Sequence, residues 1–446
     1  MTTPTRLAER LHDLADDAPH AFDTETDSLW RQGRRDGRRR RAAAGAVVVV
    51  VALLAAFATG TALERTGPQP LPVAAGGEQG LPDRFYDPSP WLPDDEGAPG
   101  PLVAVMPAER GTWGGGVPAV VGVVASTQEY RFLDLPDVPL DEDLALSPDG
   151  TQVAWWTTDG DPNGSVTGYA VYDTGTGEVR RREVESGSGI VAIRLLWADD
   201  ETLVAQYGPI SEVTSGAGTE DGVTEDLVAE TWTSAGEPVE LPQSQSWLLE
   251  STNGNGDVVV VDTDRAVYLA VDVAAPASPV ELLPRASVSG SGTVVLSPDG
   301  QRFATQASAR TLKAQHLRAA VQIGAPEGKL RDLPGSVFTR ALVGWADDST
   351  IVGVDEGENH DGLELVRYPV DGGDPEVVSD LAGTLSWDGI RVAGDQLASP
   401  VVEAVEPPSP LDPRIVAAAA GGAGVLIIAG GAAAFLWWRR RRVAHA

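Results

Sequence analysis

Two copies of one thirteen-residue pattern decide the fold: LALSPDGTQVAWW at residues 144–156 and VVLSPDGQRFATQ at residues 294–306. In each copy an apolar run precedes Ser-Pro-Asp-Gly and a second apolar run follows it. Pro148 presets the backbone angle of a tight turn, Asp149 forms local hydrogen bonds, and Gly150 tolerates a positive φ. The pattern predicts a strand, a turn and a second strand.

Related patterns recur along residues 144–392, with WADD in place of SPDG at residues 197–200 and 345–348. The spacing is 42–53 residues between successive anchors, which are Ser147, Trp197, Glu250, Ser297, Trp345 and Trp387. Four strands in about 40–50 residues is the period of a β-propeller blade. Tryptophans at strand positions are expected to pack between blades: Trp155, Trp156, Trp197, Trp247, Trp345 and Trp387.

The SPDG repeats resemble those of TolB-type, WD-repeat-like propellers, and the chain is similar in layout to membrane proteins of actinobacterial type. The resemblance implies an all-β fold with six blades, or seven as the alternative. Five blades span residues 144–380. The sixth is expected to take inner strands from residues 384–392 and outer strands from residues 117–135. Residues 102–106 are a spare strand that makes the alternative count seven.

Two uncharged stretches, residues 42–63 and 415–438, are each long enough to form a transmembrane helix. Arginines precede the first stretch and follow the second, so the positive-inside rule places both termini in the cytoplasm. The sequence therefore predicts a two-span protein of the cell membrane with an extracytoplasmic propeller. A cleaved signal peptide is the alternative for the first stretch.

This topology divides the chain into seven parts. The predicted parts are a cytoplasmic segment (1–41), a transmembrane helix (42–63), a Pro/Gly-rich linker (64–100), the propeller (101–398), a Pro-rich linker (399–414), a second transmembrane helix (415–438) and a basic tail (439–446).

Composition excludes several classes of function. The absence of cysteine rules out disulfides, a thiol nucleophile and Cys-ligated metals. A formal charge of −32 argues against a nucleic-acid partner. Five histidines leave few candidates for a general base, and no sequence motif of a hydrolase elbow, a zinc protease or a P-loop is present. We therefore expect the protein not to be an enzyme.

One loop has the first half of a calcium-binding pattern. Asp159, Asp161 and Asn163 are followed by Gly164, as in D-x-D-x-N-G, but Ala170 stands where a bidentate glutamate is expected. A plain Asp/Asn/Gly turn is the alternative. A second acidic loop carries His360. Apart from this possible calcium site, no cofactor is expected.

The N-terminal segment places Leu7, Leu11 and Leu14 on one helical face, which suggests a docking surface for a cytoplasmic regulatory protein. A short helix inside and a sensor-like domain outside resemble the layout of anti-sigma factors. The predicted function is a non-catalytic binding or sensing module for an unknown extracytoplasmic protein or small ligand, anchored in the lipid bilayer. The alternatives are an envelope scaffold and a metal-dependent propeller enzyme.

Overall fold

A computed structural model gives the structure of the protein. It describes residues 79–95, 97–139, 143–161, 164–186, 189–210, 227–234, 236–288, 293–306, 319–326, 328–335, 337–357, 362–381, 389–410, 412–415 and 431–432. The chain divides into two compact units, Leu71–Asp412 and a unit that combines Met1–Pro70 with Pro413–Ala446. The elements below belong to the first unit.

The first half of this unit is built of short antiparallel strands joined by tight turns. Its strands are β1 (Leu81–Pro82), β2 (Arg84–Phe85), β3 (Leu102–Thr112), β4 (Gly115–Val124), β5 (Tyr130–Phe132), β6 (Leu144–Leu146), β7 (Gln152–Thr158), β8 (Val166–Asp173), β9 (Val179–Glu183), β10 (Ile190–Trp197), β11 (Thr202–Pro209), β12 (Val228–Thr233) and β13 (Val239–Glu240).

The second half continues in the same way. Its strands are β14 (Trp247–Thr252), β15 (Asp257–Asp262), β16 (Val267–Asp272), β17 (Val280–Pro284), β18 (Val294–Leu296), β19 (Phe303–Gln306), β20 (Ala319–Gly324), β21 (Arg331–Asp332), β22 (Phe338–Thr339), β23 (Ala341–Asp347), β24 (Thr350–Glu356), β25 (Leu363–Pro369), β26 (Glu376–Leu381), β27 (Arg391–Val392) and β28 (Val401–Val402). Short 3₁₀ turns lie at Ser244–Ser246, Arg285–Ser287 and Gly394–Ala398. The predicted all-β class is confirmed.

Within the described residues these strands form six four-stranded antiparallel meanders. In ring order they are M1 (β27-β3-β4-β5), M2 (β6–β9), M3 (β10–β13), M4 (β14–β17), M5 (β18–β21) and M6 (β23–β26). M2 and M3 share one eight-stranded sheet through the single pair Ile190↔Val166. The first strand of each meander is its innermost strand.

The hydrophobic core lies between the meanders. Each of six buried clusters among the described residues combines side chains of two neighbouring meanders. Trp156 of M2, for example, belongs to the same cluster as Trp197 of M3. The tryptophans that were expected to pack between blades are buried wherever the structure describes them: Trp155, Trp156, Trp197, Trp247 and Trp345.

The SPDG turns have the predicted local geometry. Gly150 and Gly300 adopt φ values of 76° and 68°. The Ser147 hydroxyl donates to Asp149 Oδ1 at 2.6 Å, and the Thr151 N–H donates to the same oxygen at 2.9 Å. These bonds fix the turn and leave the backbone N–H of Asp149 free to bind the next meander.

The inner turns of neighbouring meanders are hydrogen-bonded to one another. Asp149 N donates to Asp200 Oδ1 at 3.1 Å, and Asp299 N donates to Asp348 Oδ1 at 3.0 Å. Three further junctions are Asp395 N to Pro148 O, Gly256 N to Ala198 O and Asn255 Nδ2 to Pro298 O, at 3.0, 2.7 and 3.2 Å. Between M6 and M1 the bond comes from a strand, since Arg367 Nε of β25 donates to Leu397 O at 2.9 Å. Together these bonds link M1 to M6 in a closed ring.

Strands from both chain ends complete the first and last meanders. β27 pairs with β3 in M1, β2 pairs with β26 in M6, and β1 pairs with β28. Residues 117–135 were expected to supply outer strands, and they contain most of β4 and all of β5. Residues 102–106 form part of β3 in the same sheet and are not a spare strand. Leu81 and Phe85, which lie in the predicted linker 64–100, are fully buried.

The predicted membrane topology and localisation need correction. A bilayer crossing requires a helix of about 20 apolar residues, and within the described ranges no helix of that length and hydropathy is found. The helical residues described near the second predicted span are 413–415 and 431–432. Residues 42–63 and the rest of 415–438 lie outside the described residues.

The fold makes a prediction for the indole of Trp345. This side chain is 6% exposed, and its Nε1 donates to the Val295 carbonyl of the neighbouring meander at 3.1 Å. We expect Trp345→Phe to lower the free energy of unfolding by about 1–3 kcal/mol, because the carbonyl loses its buried partner. Urea denaturation measures this change.

Trp113→Phe is the matched control, since Trp113 is 71% exposed at the tip of the β3–β4 hairpin. Its effect should stay within about 0.5 kcal/mol. Equal unfolding midpoints for the two variants would show that the indole bond between M5 and M6 contributes nothing.

Candidate functional site

A central cavity of about 510 Å³ lies where the innermost strands of all six meanders converge. This volume is within the range of about 300–1,000 Å³ that is typical of small-molecule sites. Each meander contributes at least one lining residue, namely Arg391 (M1), Leu144 (M2), Arg194 (M3), Thr252 (M4), Leu296 (M5) and Val343 (M6). The cavity exists because the meanders are arranged around one axis.

Charged groups of alternating sign follow one another from M1 to M4: Arg391 on β27, Asp143 directly before β6, Arg194 on β10, Glu250 on β14 and Arg285 directly after β17. Arg391 Nη2 lies 2.5 Å from Asp143 Oδ1, and Arg194 Nη1 lies 3.4 Å from Asp143 Oδ2. Glu250 on β14 comes next and interacts electrostatically with Arg194 and with Arg285. We call these five residues the charged belt. M5 and M6 contribute apolar side chains to the cavity, among them Leu296 and Val343.

The fold changes the pKa of Glu250. Burial disfavours its carboxylate and raises its pKa above the ordinary value, although Arg194 and Arg285 act in the opposite direction. Glu250 stands at a bulge, since the register of β14 on β15 shifts between Leu249 and Ser251. A carboxyl group with a raised pKa is suited to proton transfer near neutral pH.

Arg194 has one unused donor. Its Nε is buried and has no hydrogen-bond partner within the described part of the chain, although Nη1 pairs with Asp143. A buried donor without a partner costs free energy. Nε itself is closed to a ligand, but the Arg194 side chain is 38% exposed and lines the cavity, so the rest of its guanidinium group is available to an anionic group there.

The rim of the cavity at the inner turns is acidic. Asp347, Asp348 and Asp395 line it. Nearby, Asp200 has a raised pKa, first because it is partly buried and then because of the charges of Asp149 and Asp395. The cavity therefore has carboxylates at its rim and guanidinium groups at the belt.

A second cavity of about 840 Å³ lies between M2 and M3, beside Arg180, Arg181, Arg182 and Trp232. The guanidinium of Arg180 stacks 5.0 Å from the centre of the Trp232 ring. Three glutamates share this wide groove and balance the three arginines: Glu183, Glu185 and Glu237. Of these two cavities in the described part of the chain, the central one joins all six meanders, so it is the stronger candidate.

Two of the three predicted calcium ligands lie within the described residues. Asp159 and Asp161 are described, and Gly164 N donates to the Asp161 carbonyl at 2.7 Å as in an ordinary turn. Asn163 lies outside the described residues. Among the residues that are described, no group of three metal-ligating side chains occurs. Calcium binding remains a prediction.

The other predicted site residues cannot be located. Leu7, Leu11 and Leu14, and also His360, lie outside the described residues. Sequence reasoning missed Asp143, Arg194 and Arg391, although a signal was present: Arg194 stands three positions before the Trp197 anchor, on a strand that the repeat places at the axis.

Comparison with known proteins gives likeness of structure only. No family model and no curated protein matches the sequence. The chain resembles acylaminoacyl peptidase of Pyrococcus horikoshii with a TM-score of 0.39 and 14% identity, over 62% of this chain and 44% of that chain. It resembles puromycin hydrolase with a TM-score of 0.37 and 14% identity, over 71% of this chain and 58% of that chain. It also resembles the β-propeller domain of the trilobed protease of Pyrococcus furiosus with a TM-score of 0.34 and 12% identity, over 63% of this chain and 93% of that chain.

The chain thus spans less than half the length of the acylaminoacyl peptidase and nearly all of the isolated propeller domain. The propeller prediction is supported instead by the arrangement of the meanders around the central cavity.

The comparisons correct the predicted function. We expected a non-catalytic sensing module, with a scaffold or a metal-dependent enzyme as alternatives, and no enzymatic activity. The similar structures named above include a peptidase, a hydrolase and a domain of a protease. The expectations of a non-catalytic sensing module and of no enzymatic activity are therefore withdrawn. The activity in those names is considered for this chain only as a proposal.

The charged belt predicts a pH-dependent stability. Because the folded state raises the pKa of Glu250, the wild type loses stability as the pH rises from the ordinary glutamate value through the raised one. A glutamine side chain at this position carries no charge at any pH, so Glu250→Gln should raise the melting temperature at pH 7–8 and leave it unchanged at about pH 4. Calorimetry at both pH values measures the difference.

Glu281→Gln is the control, because Glu281 is exposed and pairs with Arg265 at 2.7 Å. It should show no gain at pH 7–8. A melting temperature of Glu250→Gln that falls at neutral pH would mean that attraction by the arginines outweighs burial.

Proposed function

We propose that the protein is a hydrolase that cleaves an amide bond in a small substrate held in the central cavity. The observation that carries the proposal is the central cavity of about 510 Å³, which Arg194 lines, together with the electrostatic interaction of Arg194 with Glu250, a carboxyl group of raised pKa on β14. A hydrolytic site needs a proton acceptor and a group that orients a polar substrate. The acylaminoacyl peptidase and the puromycin hydrolase named above are hydrolytic enzymes by their names.

The proposed step assigns one role to each of two residues. Glu250, as carboxylate, takes a proton from a water molecule whose oxygen attacks the amide carbon. The carbon–nitrogen bond then breaks, and the departing amine takes the proton back from Glu250, so that water and amide give an acid and an amine. Arg194 holds a polar group of the substrate and keeps the bond beside Glu250.

The number of blades is also part of what we propose. We infer six blades, one for each meander, closed by strands from both chain ends. Six inter-meander clusters and hydrogen bonds at all six junctions support this count. The Ser-Asp turn geometry at residues 147–150 and 297–300 supports a TolB-type repeat.

An assay of the full chain tests the activity. The substrates are an N-acetylated aminoacyl peptide, a proline-containing peptide and puromycin. We expect turnover of at least one, with an acid limb of the pH–rate profile above the ordinary glutamate pKa of about 4.3. Glu250→Gln should lower kcat about a hundredfold or more, since general base catalysis typically contributes that much.

Glu281→Gln and Arg265→Met are the matched controls, because this exposed pair lies on M4 away from the cavity lining. Both should keep wild-type rates. Absence of turnover by the wild type on all three substrates, or full activity of Glu250→Gln, would refute the proposal.

A further inference from the structure

The inner turn of M4 has the sequence Asn253-Gly254-Asn255-Gly256, which occurs once in the chain. The turn joins β14 to β15, and its first three residues line the central cavity. An asparagine before a glycine readily loses its side-chain amide, because glycine has no side chain to hinder attack by its backbone nitrogen. The chain has four asparagines, and the two in this turn are the ones within the described residues.

The fold holds Asn253 firmly. Its Oδ1 accepts from the backbone N–H groups of Asn255 and Asp257 at 2.9 and 3.0 Å, and its Nδ2 donates to Asp257 Oδ2 at 2.9 Å. The backbone nitrogen that would attack this side chain belongs to Gly254 and donates to Thr252 Oγ1 at 3.0 Å. Reaction at Asn253 therefore requires at least four hydrogen bonds of M4 to break.

Asn255 is exposed and is held by fewer bonds. Its Nδ2 donates to the Pro298 carbonyl of M5 at 3.2 Å, which is its one side-chain hydrogen bond within the described part of the chain. The attacking nitrogen, Gly256 N, donates to the Ala198 carbonyl of M3 at 2.7 Å. A Cβ placed on Gly256 would meet no atom within 4 Å, so water has access to this residue. Separation of the turn from its two neighbouring meanders frees both reacting groups.

We propose that Asn255 is a modification site, at which asparagine is converted to aspartate or isoaspartate without an enzyme. Gly256 N loses its proton and attacks Asn255 Cγ, the bond from Cγ to Nδ2 breaks, and ammonia leaves with that proton. The product is a cyclic imide. Water then opens one of its two carbonyl–nitrogen bonds, which gives aspartate, or isoaspartate when the main chain continues through the side chain.

The conversion weakens the junctions of M4 with its neighbours. A carboxylate at position 255 has no N–H to donate, so the Pro298 carbonyl keeps only the long contact from Asn253 Nδ2 at 3.5 Å. Isoaspartate also lengthens the backbone of the turn by a methylene group, which displaces Gly256 N from the Ala198 carbonyl. The rim of the central cavity, which is already acidic, gains a further negative charge.

Incubation of the full chain in mildly alkaline buffer tests the site. Peptide mass spectrometry follows each asparagine, and labelling by an isoaspartyl methyltransferase identifies isoaspartate. We expect Asn255 to convert at least tenfold faster than Asn253 in the folded protein, because its reaction breaks at least two fewer hydrogen bonds. In urea the two rates should become similar, since the fold no longer protects Asn253.

Asn255→Gln is the matched variant, because it keeps an amide donor but does not readily form the same imide. It should abolish conversion at position 255. Equal rates for Asn255 and Asn253 in the folded protein, or an unchanged Asn255 under conditions in which the protein in urea converts fully, would overturn the proposal.

Asn255→Asp reproduces one product and tests its consequence. We expect a lower melting temperature than that of the wild type at neutral pH, because the bond between M4 and M5 is lost. Gln301→Glu is the control: it adds the same charge beside the inner turn of M5, where Gln301 Nε2 donates to Asp299 O at 3.4 Å within its own meander. This control should melt like the wild type. Equal melting temperatures of the two variants would refute the weakening of the junction.

Discussion

The hydrogen bonds between neighbouring inner turns are the constraint on which the rest of the structure depends. Each meander is a small twisted sheet that cannot bury both of its faces alone. Bonds such as Asp149 N to Asp200 Oδ1 hold each sheet at a fixed position relative to the next one. The same bonds bring the innermost strands to one axis. The buried clusters between meanders and the central cavity both follow from this arrangement.

The closure of the ring extends that constraint to the chain ends. An open array of meanders exposes sheet edges, which are prone to pairing with other chains. Here β27 comes from one end of the unit and β2 from the other, and each fills a place in a sheet made mostly of residues from the opposite end. The belt depends on this closure directly, because Arg391 belongs to β27 and reaches Asp143 only when β27 is in place.

The repeat chemistry made most of the fold predictable from the sequence. Gly150 and Asp149 are residue types with few alternatives in a tight turn, so the strand–turn–strand units could be read directly. The site was not predictable in the same way. Asp143 and Arg391 are 248 residues apart, and nothing local in either segment indicates that closure makes them neighbours. Asp159 and Asp161, in contrast, matched a known local pattern, and pattern matching favoured them over residues that only the ring brings together.

The position of the belt explains how one scaffold holds partly buried charges at an acceptable cost. An unpaired charge in such a position is unfavourable, but alternating signs from M1 to M4 let each charge be compensated by its neighbours. The compensation is incomplete at two positions: Arg194 keeps an unused donor, and Glu250 has a raised pKa. Incomplete compensation is tolerated there because six inter-meander clusters stabilise the ring independently of the belt. A rigid ring with two reactive positions at its axis is thus suited to binding and chemistry rather than to packing alone.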